Sequence, residues 1–316
     1  MPRRSSRTRT CCLYLALAAT ALLAACRDDA ELPGAATEPA ATVRQLAQYL
    51  HDDDLAGYAR AAVPPAHYAE LETAWAQGHS RWPLTELPLD EKLPVLLSAL
   101  SADDAQPRLQ RAFKAQIAGQ AAGVRQAAHS LGLFGVQYIT HQGDYSEAER
   151  AHYVQLVTAL SDWAQAAPLS DPKLAQTTIT TLTAAARATG LQDEAAFRQA
   201  GMSESLRRLG PFTAAFKQAL LSYGLDLNGS VAQLRTGLVN QQGDRATVRV
   251  QYPLAGKELD VEVQLQRRQG HWYLERTLAE VDALLAAARA AAPMPDEALP
   301  PPAVDGTDNA APTTGP

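Results

Sequence analysis

The chain has 316 residues, 47% hydrophobic and 20% charged, with a formal net charge of −6. An acidic chain of this kind is not built to neutralise phosphates, so charge argues against a nucleic-acid partner. Its length suffices for a core that closes without cross-links. The three cysteines, Cys11, Cys12 and Cys26, all lie at the amino-terminal end, which leaves the body no disulfide framework.

Arg3, Arg4, Arg7 and Arg9 open the chain without an accompanying acid, and Leu13 to Ala25 is then apolar or small apart from Thr20. As a helix that run would span about 20 Å, too short for a hydrocarbon core of about 30 Å. It reads as the apolar region of a secretory signal. Leu23-Ala24-Ala25-Cys26 resembles the bacterial lipobox, and the resemblance implies lipidation of Cys26 with cleavage before it. The alternatives are an ordinary cleavage site beside a coincidental cysteine, or a twin-arginine signal at Arg3-Arg4, which lacks the usual apolar residues after it. Loss of the four arginines takes the formal charge from −6 to −10. Membrane contact is therefore assigned to the acyl chains, each buried CH₂ contributing about 0.8 kcal/mol. Arg27 stands where an aspartate would, by the same resemblance, favour the inner membrane, so the outer membrane facing the periplasm is expected.

Residues 26–40 read as the lipidated cysteine and a tether, and 293–316 as a proline-rich tail unable to bury enough apolar surface to order itself. Between them, 41–226 carries helix signals. Val43, Leu46, Tyr49 and Leu50 mark a first helix; Asp52 to Asp54 cap a second ending near Val63; Pro64-Pro65 opens a third to Gln77. A helix over Glu91–Leu100 follows the segment SRWPLTELPL. Asp103-Asp104 then cap a long stretch to Ile139, which Gly119 and Gly123 can divide. Ser146 to Glu149 matches a capping box, and Ser170-Asp171-Pro172 starts a helix that stops at Gly190. Its threonines are expected to bond back to earlier carbonyls. Helices over Gln192–Ala200 and Ser203–Tyr223 complete the body, with Trp75, Trp82 and Trp163 anchoring crossings. The stretch LGLFGVQYI, 131–139, reads as a central buried helix; the alternative is the wall of an apolar ligand groove or a partner site, since Gly132 and Gly135 permit close approach.

After Gly229 the period becomes two. Val248, Val250 and Tyr252, then Leu259, Val261, Val263 and Leu265, alternate with polar residues, between Gly-containing turns at QQGD, LAGK and RQGH. With strands near Leu234–Asn240 and Trp272–Leu274 they predict a four-stranded antiparallel meander, closed by a helix from Arg276 to Ala291. The expected fold is mainly α with a small C-terminal antiparallel meander, an α+β protein whose sheet and closing helix occupy 227–292. The meander should dock on the helices through Trp272 or Tyr273. Its pattern resembles the terminal sheet of cystatin-like and NTF2-like domains, which implies a fold but no activity.

The chemical motifs are incomplete. Ser170-Asp-Pro-Lys173 has S-x-x-K spacing without S-D-N or K-T-G elsewhere. Ser203 lies in GMSES, one residue short of a nucleophile elbow, and reads as a helix cap. Glu149 and His152 form a single E-x-x-H, where dimetal bundles need two with further glutamates, so a surface pair on the helix is expected. No phosphate loop or H-E-x-x-H occurs, and no cofactor, metal or catalytic set is assigned. These readings point to a tethered envelope module that binds another protein, with a carrier of an apolar ligand and an enzyme as alternatives. An exposed outer strand of the meander is one surface on which a partner can add a strand.

Overall fold

The computed structural model describes residues 38–86, 93–143 and 145–291. Cys26, the tail beyond 292 and the start of the expected helix at Glu91 lie outside them. The first helix, α1 (Pro39–His51), starts two residues inside the expected tether, with proline in its first turn. Asp54 caps α2 (Leu55–Ala62), its carboxylate accepting from the Gly57 amide at 2.7 Å. Small side chains at Ala56, Ala59, Ala61 and Ala62 let this short helix sink into the interior. Helix α3 (Pro65–Gln77) ends at Gly78, whose φ of 80° supplies the left-handed cap.

Two tryptophans fix this trunk. The Trp75 indole, fully buried, donates to the Phe197 carbonyl at 3.0 Å, tying α3 to α9 (Glu194–Ala200). Trp82 donates to Glu86 at 2.8 Å, and Tyr58 of α2 donates to the same carboxylate at 3.0 Å. The proline-punctuated crossing, with a 3₁₀ turn at Leu84–Glu86, is thereby pinned to α2. Helix α4 (Leu93–Ser101) inserts Leu97 and Leu100 into the same core.

The long stretch after Asp104 is divided once. Gly119, at φ 73°, separates α5 (Ala105–Gln116) from α6 (Ala121–His141), whereas Gly123 lies within α6. The capping box opens α7 (Glu147–Ala166) with both reciprocal bonds made. Asp171 caps α8 (Pro172–Thr189) through the Lys173 and Leu174 amides, and Thr177, Thr180 and Thr183 bond back one turn. Ser203 is not a cap: α10 (Met202–Ser222) starts from Gly201, and Ser203 sits inside its first turn. Lys217 of α10 donates to the Leu50 and His51 carbonyls and pairs with Asp53 at 2.8 Å, a cation placed at the C-terminal end of α1. Helix α11 (Leu227–Ala232) is absent from the expected elements, since six residues are too short to show a period, although Asp226 caps it through the Gly229 amide.

The sheet runs β1 (Arg235–Gln242), β2 (Arg245–Leu254), β3 (Lys257–Arg268) and β4 (His271–Leu274), all antiparallel and in chain order. Its turns carry positive φ at Gly243, Ala255, Gly256, Gln269 and Gly270, as two-residue hairpins require. Val248 pairs with Val263 and Tyr252 with Leu259, so the apolar residues share one face. Ala40 and Val43 of α1 cover part of that face around Trp272, and Leu156, Ala159, Leu160 and Trp163 of α7 cover Tyr252, Leu254 and Leu259. Trp272 and Tyr273 are both buried. The closing helix α12 (Glu275–Ala291) returns Val281 and Leu285 to the trunk core, and His67 of α3 meets its Asp282 at 2.8 Å. Sheet and helices form one α+β body.

Candidate interaction surface

The three motif candidates do not converge. Lys173 is exposed beside the Asp171 cap, and Ser170 marks only the turn before α8. Ser203 lies 2.5 Å from the Tyr68 hydroxyl and donates to Glu72 at 2.6 Å, which staples α3 to α10. Glu149 is occupied by the capping box and by Arg276. His152 is not Glu149's surface partner: its ring turns to the sheet, 3.3 Å from the Tyr252 hydroxyl. Burial lowers the His152 pKa, opposed in part by Asp260, and burial pushes the Tyr252 hydroxyl up to about 12. Both groups are therefore neutral near pH 7, and they act as a polar rivet between α7 and β2.

A cleft of about 360 Å³ opens between Gly78–Arg81, the 3₁₀ turn, the start of α4 and α9. Its cation is already committed. Arg81 pairs with Glu194 at 2.5 Å, lies 4.9 Å from the centre of the Trp75 ring and donates to the Ser80 carbonyl. Glu86, beside the cleft, has its pKa raised chiefly by burial. It is enclosed by Tyr58 and Trp82 rather than open to a ligand. Among the described residues, no three His, Cys, Asp or Glu side chains stand close enough to hold a metal.

The feature that sets this molecule apart is α6. LGLFGVQYI does not form a buried helix: α6 has no buried residue, and Leu131, Leu133, Phe134 and Tyr138 are 69%, 61%, 68% and 51% exposed. The glycines explain the placement. A Cβ at Gly132 would stand 2.1 Å from the Ser161 Oγ, and one at Gly135 would stand 3.0 Å from Val157 Cγ1. These two glycines let α6 lie hard against α7, its principal neighbour. Close packing on that side uses the small residues and leaves the large ones outside. Phe134 and Tyr138 stack on each other across the solvent side, their centroids 6.3 Å apart.

A signal for this was present in the sequence. Val124, Ala128, Gly132, Gly135 and Ile139 form one helical stripe, and Ala127, Leu131, Phe134 and Tyr138 form a second beside it. One helix with two apolar stripes needs two neighbours. Within the described chain it has one principal neighbour, α7. A smaller exposed apolar site lies on β1, the outer strand, where Leu238 and Val239 are about half exposed beside a bulge.

Compared with models of protein families, with curated proteins and with solved structures, the chain matches none.

Proposed function

We propose that this chain is a lipid-anchored protein of the bacterial envelope that works by binding protein at the membrane surface, not by catalysis. The observation that carries the reading is the outer face of α6. Single exposed apolar residues are ordinary, but four large ones on one helix, two of them stacked aromatics, are what protein-binding surfaces present. Anchoring supports the same reading. Cys26 lies twelve residues before Glu38, close enough that acyl chains there would hold the body within about 45 Å of a bilayer. No described helix is long and apolar enough to cross a membrane.

Two measurements test the reading. Mass spectrometry of the mature amino terminus should find a chain beginning at a lipid-modified Cys26, and Cys26→Ser should leave an unprocessed or soluble species. A free thiol at a mature amino terminus would sink the anchor. In parallel, the chain lacking its first 26 residues should turn over no envelope substrate. Turnover abolished by substituting one or two polar residues in the Arg81–Glu194 cleft would overturn the non-catalytic part.

A further inference from the structure

We infer that the occupant of the α6 face is a second copy of this chain, the two α6 helices packing antiparallel about a two-fold axis between Leu131 and Phe134. The inference rests on reading that face as an interaction surface. Three features single out a second copy.

Spacing comes first. Ala127, Leu131, Phe134 and Tyr138 recur at intervals of four, three and four, the seam by which one helix packs along another. Set antiparallel about that axis, the seam fits itself. Leu131 of one copy meets Phe134 of the other, and Tyr138 meets Ala127, so the bulkiest ring faces the smallest side chain. A seam of this kind interdigitates without voids.

Charge is the second. Arg125 is the only formally charged residue among the 21 of α6, in a chain of net charge −6. Two copies of an acidic protein repel through most of their surfaces, and an uncharged face is where they can approach.

Area is the third. Leu131, Phe134 and Tyr138 of the seam expose on the order of 400 Å², about half of the roughly 800 Å² per partner in a stable interface. The exposed and neutral Ala127, Ser130 and Gln137 lie among them and supply further area. A helix about 31 Å long is long enough for the whole seam to engage. Because the contact is isologous it closes on itself, giving a dimer and not a filament.

The test is sedimentation equilibrium on the chain from Arg27 onward, which retains every element of the packed body. The expected result is a dimer. Leu131→Glu alone and Phe134→Lys alone should each weaken it by about tenfold or more, because each buries a charge without a partner. An equimolar mixture of the two should recover a mixed dimer, the new charges meeting across the axis. Unchanged far-UV circular dichroism, with thermal midpoints unchanged at concentrations too low for association, separates lost association from lost folding. A chain still monomeric at about 100 µM, or a dimer indifferent to both substitutions, overturns the second copy. So does a monomer that binds phosphatidylglycerol vesicles through Leu131 and Phe134, because the face then belongs to lipid. If the dimer fails while position 134 still contacts a different protein in cells, the interaction reading stands and only the identity of the occupant falls.

Discussion

Trp75 and Phe134 are both large aromatic rings on helices rich in alanine, and their fates are opposite. Trp75 is fully buried, with its indole bonded to α9, while Phe134 is 68% exposed on a helix with one principal neighbour. The trunk around Trp75 is closed by elements distant in the chain: α3, α9 and α10, with α12 returning from the far end. The α6–α7 hairpin is local, and only α7 of the pair reaches the sheet. Apolar composition therefore does not decide where a helix lies. What decides it is which stripe the neighbouring backbone can approach, and here two glycines gave α7 the small stripe.

The largest effects should come from breaking the trunk. Trp75→Ala is expected to cost about 3–5 kcal/mol in urea denaturation, from the lost volume of a fully buried ring, and Trp272→Ala should cost a similar amount. Both should shift a single unfolding transition. If Trp272→Ala separated sheet and helices into two transitions, the one-body account would be wrong.

Next comes the hairpin joint. Gly132→Ala forces a Cβ to within 2.1 Å of the Ser161 Oγ, so α6 must back away from α7. A cost of about 1–3 kcal/mol is expected, with faster amide exchange in α6 than in α3. An unaffected midpoint would mean the two helices are not in close contact.

A smaller effect distinguishes the trunk by pH. Burial raises the Glu86 pKa in the fold, so the folded state holds that proton more tightly than the unfolded chain does, where the pKa is about 4.3. The resulting stability is fully present below about pH 4.3 and is lost as pH rises through the folded value. Denaturation of wild type and Glu86→Gln across pH 4 to 7 should therefore show the difference moving in favour of Glu86→Gln as pH rises. A difference independent of pH would contradict a buried, charge-costing Glu86.

Smallest of all should be Phe134→Ser in the isolated monomer, within about 0.5 kcal/mol, because surface changes away from packing rarely exceed that. Measured by thermal melting at concentrations too low for association, a loss of several kcal/mol would move Phe134 from the surface into a core.

Much of the trunk and nearly all of the sheet were legible in the sequence. Asp54, Ser146 and Asp171 announced their helices because a cap is a local bond between a side chain and amides two or three residues on. The meander was legible because period-two patterning and two-residue turns also act locally. Burial of LGLFGVQYI was misread because apolarity alone does not show whether a neighbour arrives from elsewhere in the chain. Ser203 was misread as a cap because Gly201, a residue without a capping side chain, starts α10 instead. The candidate surface was half visible: both stripes of α6 could be counted, but only the packing of Gly132 and Gly135 shows which one α7 takes.

Site-specific photo-crosslinking in intact cells tests the central claim most directly. A photoreactive side chain at position 134 should yield a discrete protein adduct, whether with another copy of the chain or with a different protein. The same group at exposed Thr73 of α3 should yield none. Adducts from position 73 but not 134, or none from 134 in cells that contain the protein, would contradict the proposal that the α6 face is the surface through which this protein acts.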